Sequence, residues 1–323
     1  MKNYILGCGL LLCMMNINIV THGAIITVTP DGSGEFSSIQ KAIDNLRAFT
    51  PEPHVIYLKP GVYKEKVLIP TWMTDLSIIG ENAETTVVTW DDYSGKIEGM
   101  HTFITYTTLI GGNDIYVKNV TFQNNAEPLG QAVAIHVEGD RVVFENCRFL
   151  GNQDTVYLGR EGARQFFLNC YIEGTTDFIF GPSTALFKNC HIHSKRNSYI
   201  TAASTPKNSK FGFVFIGCNL TADTDVDKVY LGRPWRDYAQ TVFINCVMGK
   251  HIRPEGWHNW NRPEVEFQVF YAEFGSVGEG SSSEKRVSWS KQLTSKEAKR
   301  YSVTNILSGC DNWNPSVEIN SVL

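Results

Sequence analysis

The chain has 323 residues, with 29 Lys and Arg against 33 Asp and Glu, a formal net charge of −4 and a pI of about 6.1. This length can bury a large core in one elongated domain or in two ordinary ones. The weakly acidic balance offers no basic surface to a nucleic acid or an anionic membrane, so we expect neither as a partner.

The first 24 residues have the pattern of a signal peptide. Lys2 precedes an apolar run over residues 4–12, and the small residues Gly23 and Ala24 follow at a cleavage position. A membrane anchor is the alternative, but two asparagines interrupt the run, which is shorter than the roughly 20 apolar residues of a membrane span. We therefore predict a signal peptide over 1–24 and a secreted protein, extracellular or, in a bacterium, periplasmic.

A short helix is predicted next. Phe36, Ile39, Ile43 and Leu46 follow helical spacing, which places their side chains on one face. We expect this helix to cover the N-terminal end of the repeat fold described below.

One four-residue unit recurs through the middle of the chain. Its copies are VKNV at 117–120, FENC at 144–147, FLNC at 167–170, FKNC at 187–190, FIGC at 215–218 and FINC at 243–246. The cysteines are spaced by 23, 20, 28 and 28 residues, which suits one coil of a parallel β-helix with loops inserted in the longer turns. Asn tolerates the left-handed turn conformation, so strands should meet at a stacked Asn corner. The repeat predicts an all-β solenoid with short capping helices.

Five cysteines occupy the same position of this repeat. They should form a column, but parallel Cβ directions on neighbouring rungs are poor geometry for a disulfide. We expect buried free thiols, with a single disulfide in the column as the alternative.

Two aspartates share one position on adjacent coils. Asp154 lies seven residues after Cys147, and Asp177 lies seven residues after Cys170. Rungs are stacked about 4.8 Å apart, so the two carboxyl groups should lie within about 5 Å of each other if both point outward. Carboxylates that close do not both ionise easily, which predicts one acid and one nucleophile.

Three interpretations of this pair remain open from the residues alone. The aspartates could line a turn and accept hydrogen bonds from local backbone N–H groups. They could serve a retaining glycosidase, whose carboxyl groups are similarly spaced. Gln153 beside Asp154, and Gln131 one coil earlier, favour acyl transfer, since neutral amide donors stabilise an oxyanion.

The C-terminal part offers a second cap and no linker. Thr294 and Glu297 can form a capping box. A helix or coil packed back on the solenoid would then take its apolar residues from Tyr301, Val303, Ile306 and Leu307. No Pro- or Ser-rich linker divides the chain, so we predict a single domain over 25–323.

Other candidate sites are weaker. His191 and His193 share a strand face and could bind metal, but no third ligand clusters with them, so we predict no metal site. Trp257 and Trp260 could flank a sugar groove or pack a loop. No Gly-x-Ser-x-Gly elbow is present, so a serine esterase is not indicated.

The sequence resembles the pectin methylesterase (pectinesterase) family in five motifs, in order and in spacing. They are GVYKE at 61–65, QAVA at 131–134, GNQDT at 151–155, DFIFG at 177–181 and LGRPW at 231–235. The resemblance covers nearly the whole mature chain. It implies a right-handed β-helix, no cofactor, and hydrolysis of galacturonate methyl esters in homogalacturonan to carboxylate and methanol. Methylesterified pectin is thus the expected partner, and we expect a monomer.

The resemblance also implies catalytic roles. Asp177 matches the nucleophile, and Asp154 matches the acid that protonates departing methanol and later activates water. Gln131 and Gln153 match the oxyanion-stabilising glutamines. Arg233 matches the arginine that hydrogen-bonds the nucleophile, which would keep Asp177 ionised.

Trp235 and Phe178 match aromatic residues of the family's substrate groove. Their ring faces suit the apolar side of a sugar, although a buried packing role for Phe178 is the alternative.

A carbohydrate-binding β-helix without turnover is the main rival function, and retention of all five polar positions argues against it. A thioesterase, or an esterase of another uronate polymer, is the rival among enzymes.

Overall fold

A computed structural model describes residues 24–50 and 52–316 of the chain. All but the last residue of the predicted signal peptide, 1–24, lies outside the described residues. Within the described ranges, no helix is long and apolar enough to span a bilayer.

Three parallel sheets, here called sheets A, B and C, wind around one interior. The eleven strands of sheet A are Ile25–Val28, His54–Leu58, Leu76–Gly80, Ile115–Lys118, Val142–Glu145, Arg164–Leu168, Thr184–Lys188, Phe213–Ile216, Gln240–Ile244, Phe270–Phe274 and Lys291–Gln292. The eight strands of sheet B are Gly61–Lys64, Thr86–Trp90, Thr121–Asn124, Arg148–Leu150, Tyr171–Gly174, His191–Ser194, Asn219–Ala222 and Val247–Met248. The seven strands of sheet C are Val67–Ile69, Thr108–Ile110, Ile135–Val137, Val156–Leu158, Ile179–Gly181, Tyr199–Ala203 and Tyr230–Gly232.

Each of the seven coils that begin with the strands from His54–Leu58 to Phe213–Ile216 contributes one strand to each sheet. The chain passes from Val142–Glu145 in sheet A through Arg148–Leu150 in sheet B to Val156–Leu158 in sheet C. The next coil repeats this order, with Phe144 opposite Phe167 in the parallel ladder. The predicted parallel β-helix is confirmed.

The corner between sheets A and B is the stacked Asn corner that the repeat predicts. Its residues adopt left-handed backbone with φ between 50° and 57°: Asn119, Asn146, Asn169, Asn189 and Asn245. Gly217, at φ 66°, takes the same place in the copy that lacks Asn. Only residues that tolerate positive φ can turn the chain here, which explains the Asn-or-Gly pattern.

The interior is built on an aromatic column. Phe144, Phe167, Phe187, Phe215 and Phe243 stack with successive ring centroids 4.8, 4.6, 4.5 and 4.4 Å apart. Each fully buried ring contributes about 1.5–3 kcal/mol relative to an exposed one. The five repeat cysteines are buried free thiols, as expected from their parallel geometry.

The aromatic column ends in a buried ion pair. Glu273 stands opposite Phe243 on the next rung, and Arg286 donates to its two carboxylate oxygens at 2.8 and 3.0 Å. The side chains of Arg286 and Glu273 are 3% and 4% exposed. Arg286 also donates to the carbonyl oxygens of Arg253, Pro254 and Gly280, which ties the last loops to the solenoid.

The N-terminal cap is Ile39–Asp44, with Ser38 as its N-cap. Ile39, Ile43 and Leu46 are buried in the main core, so the predicted apolar face is confirmed. Phe36 lies before the helix and bridges to Val28 instead.

The C-terminal helices are Ser295–Ala298, which has the predicted capping box, and Val303–Leu307. The apolar residues Ile306 and Leu307 pack with Val143 and Phe166 on the outer face of sheet A. This segment therefore covers the side of the solenoid and not its end, because the outward-facing residues of sheet A offer it an apolar surface. Three short 3-10 helices complete the described elements: Thr102–Ile104, Pro263–Phe267 and Glu279–Ser281.

Candidate active site

The two aspartates occupy equivalent positions on adjacent coils, as the repeat predicts. Asp154 and Asp177 each lie two residues before a strand of sheet C, and Val156 pairs with Ile179 in the ladder. Both adopt left-handed backbone, with φ 68° and 49°. The Asp154 backbone N–H donates to the Thr176 carbonyl oxygen at 3.1 Å, which fixes one coil against the next at this point.

Both carboxyl groups face a cleft of about 240 Å³ on the outside of sheet C. Six of the seven residues that the sequence singles out line this cleft together. Its lining residues are Thr102, Phe103, Gln131, Gln153, Asp154, Asp177, Phe180, Ala202, Arg233, Trp235 and Trp260.

Arg233 follows strand Tyr230–Gly232 and reaches the carboxylate of Asp177. Its Nε and Nη2 donate to the two carboxylate oxygens at 2.9 and 2.6 Å. The guanidinium is held between two aromatic rings, 4.0 Å from the centroid of Tyr199 and 3.6 Å from that of Trp260. Such cation–π contacts, together with the bidentate pair, leave the side chain little freedom.

The two aspartates differ in their electrostatic surroundings. Burial raises the pKa of Asp154 well above its usual value, and the neighbouring Asp177 raises it further, against a smaller opposing effect of Arg233. Burial also raises the pKa of Asp177, but the hydrogen bonds and charge of Arg233 oppose this. Asp154 therefore holds its proton more tightly than Asp177, so the pair can supply one acid and one carboxylate.

The glutamines flank these carboxyl groups. Their backbones are linked, since the Ala132 N–H donates to the Gln153 carbonyl oxygen at 3.0 Å. Within the described part of the chain, neither the Gln131 nor the Gln153 side-chain amide has a hydrogen-bond partner, although both line the cleft. Their N–H groups are thus available to a group bound there.

Phe178 does not line the cleft. Its side chain is 0% exposed and belongs to the main core, because the left-handed conformation of Asp177 turns the next residue inward. Phe180 is the aromatic residue of this motif that lines the cleft, stacked on Tyr157 with centroids 4.6 Å apart. The role expected for Phe178 is therefore wrong, and its packing alternative holds.

A sequence profile of the Pectinesterase family matches residues 25–310. The chain belongs to the pectinesterase family. It is therefore a carboxylic ester hydrolase of the class EC 3.1.1.11.

Three relatives illustrate the similarity. Pectinesterase 31 of Arabidopsis thaliana is 41% identical over 284 residues, spanning 85% of this chain and 89% of the relative. A carrot pectin methylesterase structure superposes with a TM-score of 0.86 at 30% identity, covering 92% of this chain and 96% of the carrot chain. A pectin methylesterase in complex with a hexasaccharide has a TM-score of 0.77 at 29% identity, covering 91% and 98%.

The two tryptophans left undecided by the sequence separate in this enzyme. Trp260 lines the cleft, whereas Trp257 is 1% exposed within the core. The His191 and His193 side chains contact the Thr221 hydroxyl at 2.6 and 2.8 Å. Among the residues that the structure describes, no group of three or more His, Cys, Asp or Glu could hold a metal ion.

Sequence reasoning missed two aromatic residues, one that lines the cleft and one that packs beside it. Phe103 lines the cleft, tilted against Tyr157 and stacked with Trp235 at centroid distances of 4.9 and 6.4 Å, and Tyr199 packs on Arg233. Phe103 lies in an inserted loop outside the repeat, so no periodic signal marks it. Tyr199 follows Asp177 by 22 residues, which is close to the length of one coil. This spacing is a sequence signal that could have placed Tyr199 beside the site.

Proposed function

We propose that this enzyme hydrolyses the methyl esters of galacturonate residues in homogalacturonan, with Asp177 as nucleophile and Asp154 as acid and base. The observation that carries the proposal is the bidentate pair between Arg233 and Asp177, beside a second aspartate with a strongly raised pKa. One carboxyl group is thus prepared as an anion, and the other as an acid.

The first step forms an acyl-enzyme. A carboxylate oxygen of Asp177 attacks the ester carbonyl carbon, and the amides of Gln131 and Gln153 donate to the resulting oxyanion. The intermediate collapses by breaking the bond to the methoxy oxygen, which takes the proton of Asp154 and leaves as methanol. An anhydride between galacturonate and Asp177 remains.

The second step releases the product. Asp154, now a carboxylate, takes a proton from water as the water oxygen attacks the galacturonyl carbonyl carbon. The second tetrahedral intermediate expels the Asp177 carboxylate, which returns to its pair with Arg233. Asp154 is again protonated, and the galacturonic acid formed loses its proton to solvent.

The cleft favours a neutral sugar ester as substrate. Phe180, Trp235 and Trp260 supply aromatic surfaces to it, which suit the apolar face of a sugar ring. Arg233 is the only cation among the described residues lining it, and this cation is already paired with Asp177. A free carboxylate would therefore find no unpaired cation, whereas a methyl ester needs none. The hexasaccharide complex of a similar pectin methylesterase supports an oligosaccharide occupant.

Methanol release from highly methylated pectin tests the proposal. Asp177→Asn and Asp154→Asn should each lower kcat by about 10³-fold or more without loss of fold, since both side chains face the cleft. Asp225→Asn, at an exposed position away from the cleft, is the matched control and should keep wild-type turnover. Near-normal turnover in folded Asp177→Asn, or release of reducing ends in place of methanol, would contradict the proposal.

Trapping with hydroxylamine tests direct attack by Asp177. An anhydride reacts readily with hydroxylamine, so wild-type enzyme turning over methylated pectin should form a hydroxamate on galacturonate or on Asp177. Asp177→Asn should form none. If mass spectrometry finds no enzyme-dependent hydroxamate while methanol release continues, Asp177 acts as a general base for water instead.

A further inference from the structure

The segment that carries Gln131 has no regular structure of its own. Strand Thr121–Asn124 of sheet B ends seven residues before Gln131, and strand Ile135–Val137 of sheet C begins four residues after it. Backbone hydrogen bonds to neighbouring coils hold the next two residues, since the Ala132 N–H donates to the Gln153 carbonyl oxygen and the Val133 carbonyl oxygen accepts from the Thr107 N–H, both at 3.0 Å. Gln131 itself belongs to no strand of the sheets. Its amide must nevertheless be held in one geometry to meet an oxyanion.

Asn124 is a buried hub beside this segment, with 3% of its surface exposed. Its Nδ2 lies 2.9 Å from the Asp92 carbonyl oxygen and 3.1 Å from those of Thr105 and Val133. Its Oδ1 accepts from the Ala126 N–H at 3.0 Å. The amide has two hydrogens, so three carbonyls share them, and every polar atom of the side chain is satisfied.

Thr105 also binds the backbone of Val133. This fully buried threonine accepts at Oγ1 from the Val133 N–H at 3.1 Å and donates to the Thr102 carbonyl oxygen at 2.7 Å. Val133, two residues from Gln131, is thus bound at its N–H by Thr105 and at its carbonyl oxygen by the Asn124 side chain together with the Thr107 N–H. The Gln131 carbonyl oxygen itself accepts from the Ser94 N–H at 2.8 Å.

We propose that Asn124, assisted by Thr105, is a positioning residue that fixes the Gln131 amide against the oxyanion. The inference rests on the proposed role of Gln131 and assigns to Asn124 no contact with substrate. Asn124 joins three separate segments, the loop at 92, the turn at 105 and the strand entry at 133, so its loss would release the backbone on which Gln131 stands. Misplacement of a catalytic group by about 1 Å can lower turnover about 10²-fold.

A double-mutant cycle tests this role. Asn124→Asp keeps the size of the side chain but places an oxygen opposite three carbonyl oxygens. We expect it to lower kcat by about 10- to 10²-fold in the wild-type background. In a Gln131→Ala background the loss should be less than about threefold, because the amide that Asn124 positions is already absent there. An equal fold-change in both backgrounds would overturn the inference, since a merely structural asparagine would act independently of Gln131.

A second variant covers the case in which Asn124→Asp does not fold. Thr105→Val is nearly isosteric and removes both hydrogen bonds of Oγ1, and it should show the same dependence on Gln131. Thr184→Val is its matched control, since Thr184 lies in sheet A and donates to the Phe211 carbonyl oxygen at 2.8 Å. It should leave kcat unchanged in both backgrounds.

The cycle separates this inference from the proposed function. If Gln131→Ala lowers kcat but the Asn124 and Thr105 variants cost the same with and without Gln131, the positioning role fails and the proposed function stands. If Gln131→Ala keeps wild-type kcat, the oxyanion role of Gln131 fails, and the positioning role fails with it.

Discussion

Replacing Arg233 by methionine should move the pH profile of the enzyme upward. Methionine keeps an apolar side chain between Tyr199 and Trp260 but removes the charge and both hydrogen bonds to Asp177. Removing one partner of a buried, hydrogen-bonded pair costs about 3–5 kcal/mol, and here that loss destabilises the anionic form of Asp177. That free energy corresponds to roughly 10²- to 5 × 10³-fold in kcat/KM at mildly acidic pH.

The direction of the expected shift in the pH profile follows from the surroundings of the two carboxyl groups. Burial raises the pKa of Asp177 and Arg233 opposes it, so without Arg233 the pKa rises and less anion is present at a given pH. Arg233 also lowers the pKa of Asp154, so both limbs of the kcat/KM profile should move to higher pH and activity should partly recover as the pH is raised.

Methanol release measured from acidic to alkaline pH checks this expectation. Arg47→Met is a suitable control, because Arg47 is exposed and follows the N-terminal cap helix Ile39–Asp44, outside the cleft. A uniform loss at every pH, with both limbs unmoved, would refute the reasoning and leave Arg233 with a role in substrate placement alone.

Further expectations concern stability and metals. The raised pKa of Asp154 means that its contribution to stability is full below the unfolded-state pKa and is lost as pH rises through the folded-state pKa. Asp154→Asn should therefore stabilise the fold by about 1–2 kcal/mol at neutral pH and not at strongly acidic pH, and equal denaturant midpoints at neutral pH would contradict this. Arg286→Met should lower the free energy of unfolding by about 3–5 kcal/mol by leaving Glu273 buried and unpaired. Adding Glu273→Leu should recover most of that loss in urea unfolding, and no recovery would argue against an uncompensated charge. Chelators should leave methanol release unchanged, since side chains supply every role in the proposed steps, whereas loss restored by one metal would contradict it.

The sequence determined the fold and the aspartate pair through its repeat. An Asn or Gly is needed at the corner between sheets A and B in each copy of the repeat, because the backbone there has positive φ, and this need is visible along the chain. Asp154 and Asp177 lie at equal offsets from Cys147 and Cys170, so the repeat also places them at equivalent positions on adjacent coils. Features that recur once per coil can thus be predicted from the period of the sequence. The pairing of Arg233 with Asp177, 56 residues apart, came from the family resemblance, because Arg233 has no counterpart in the repeat.

The tertiary structure alone decided which side chains meet in the inserted segments. Phe103 reaches the site on an inserted segment whose path no period fixes, and the C-terminal helix Val303–Leu307 lies on the side of sheet A because an apolar outer face exists there. Phe178 points into the core and not into the cleft, because the left-handed backbone of the preceding Asp177 turns it inward. A sequence pattern specifies which residues are apolar or polar, but the direction of a side chain beside an irregular turn depends on backbone angles that are set by packing of the whole coil.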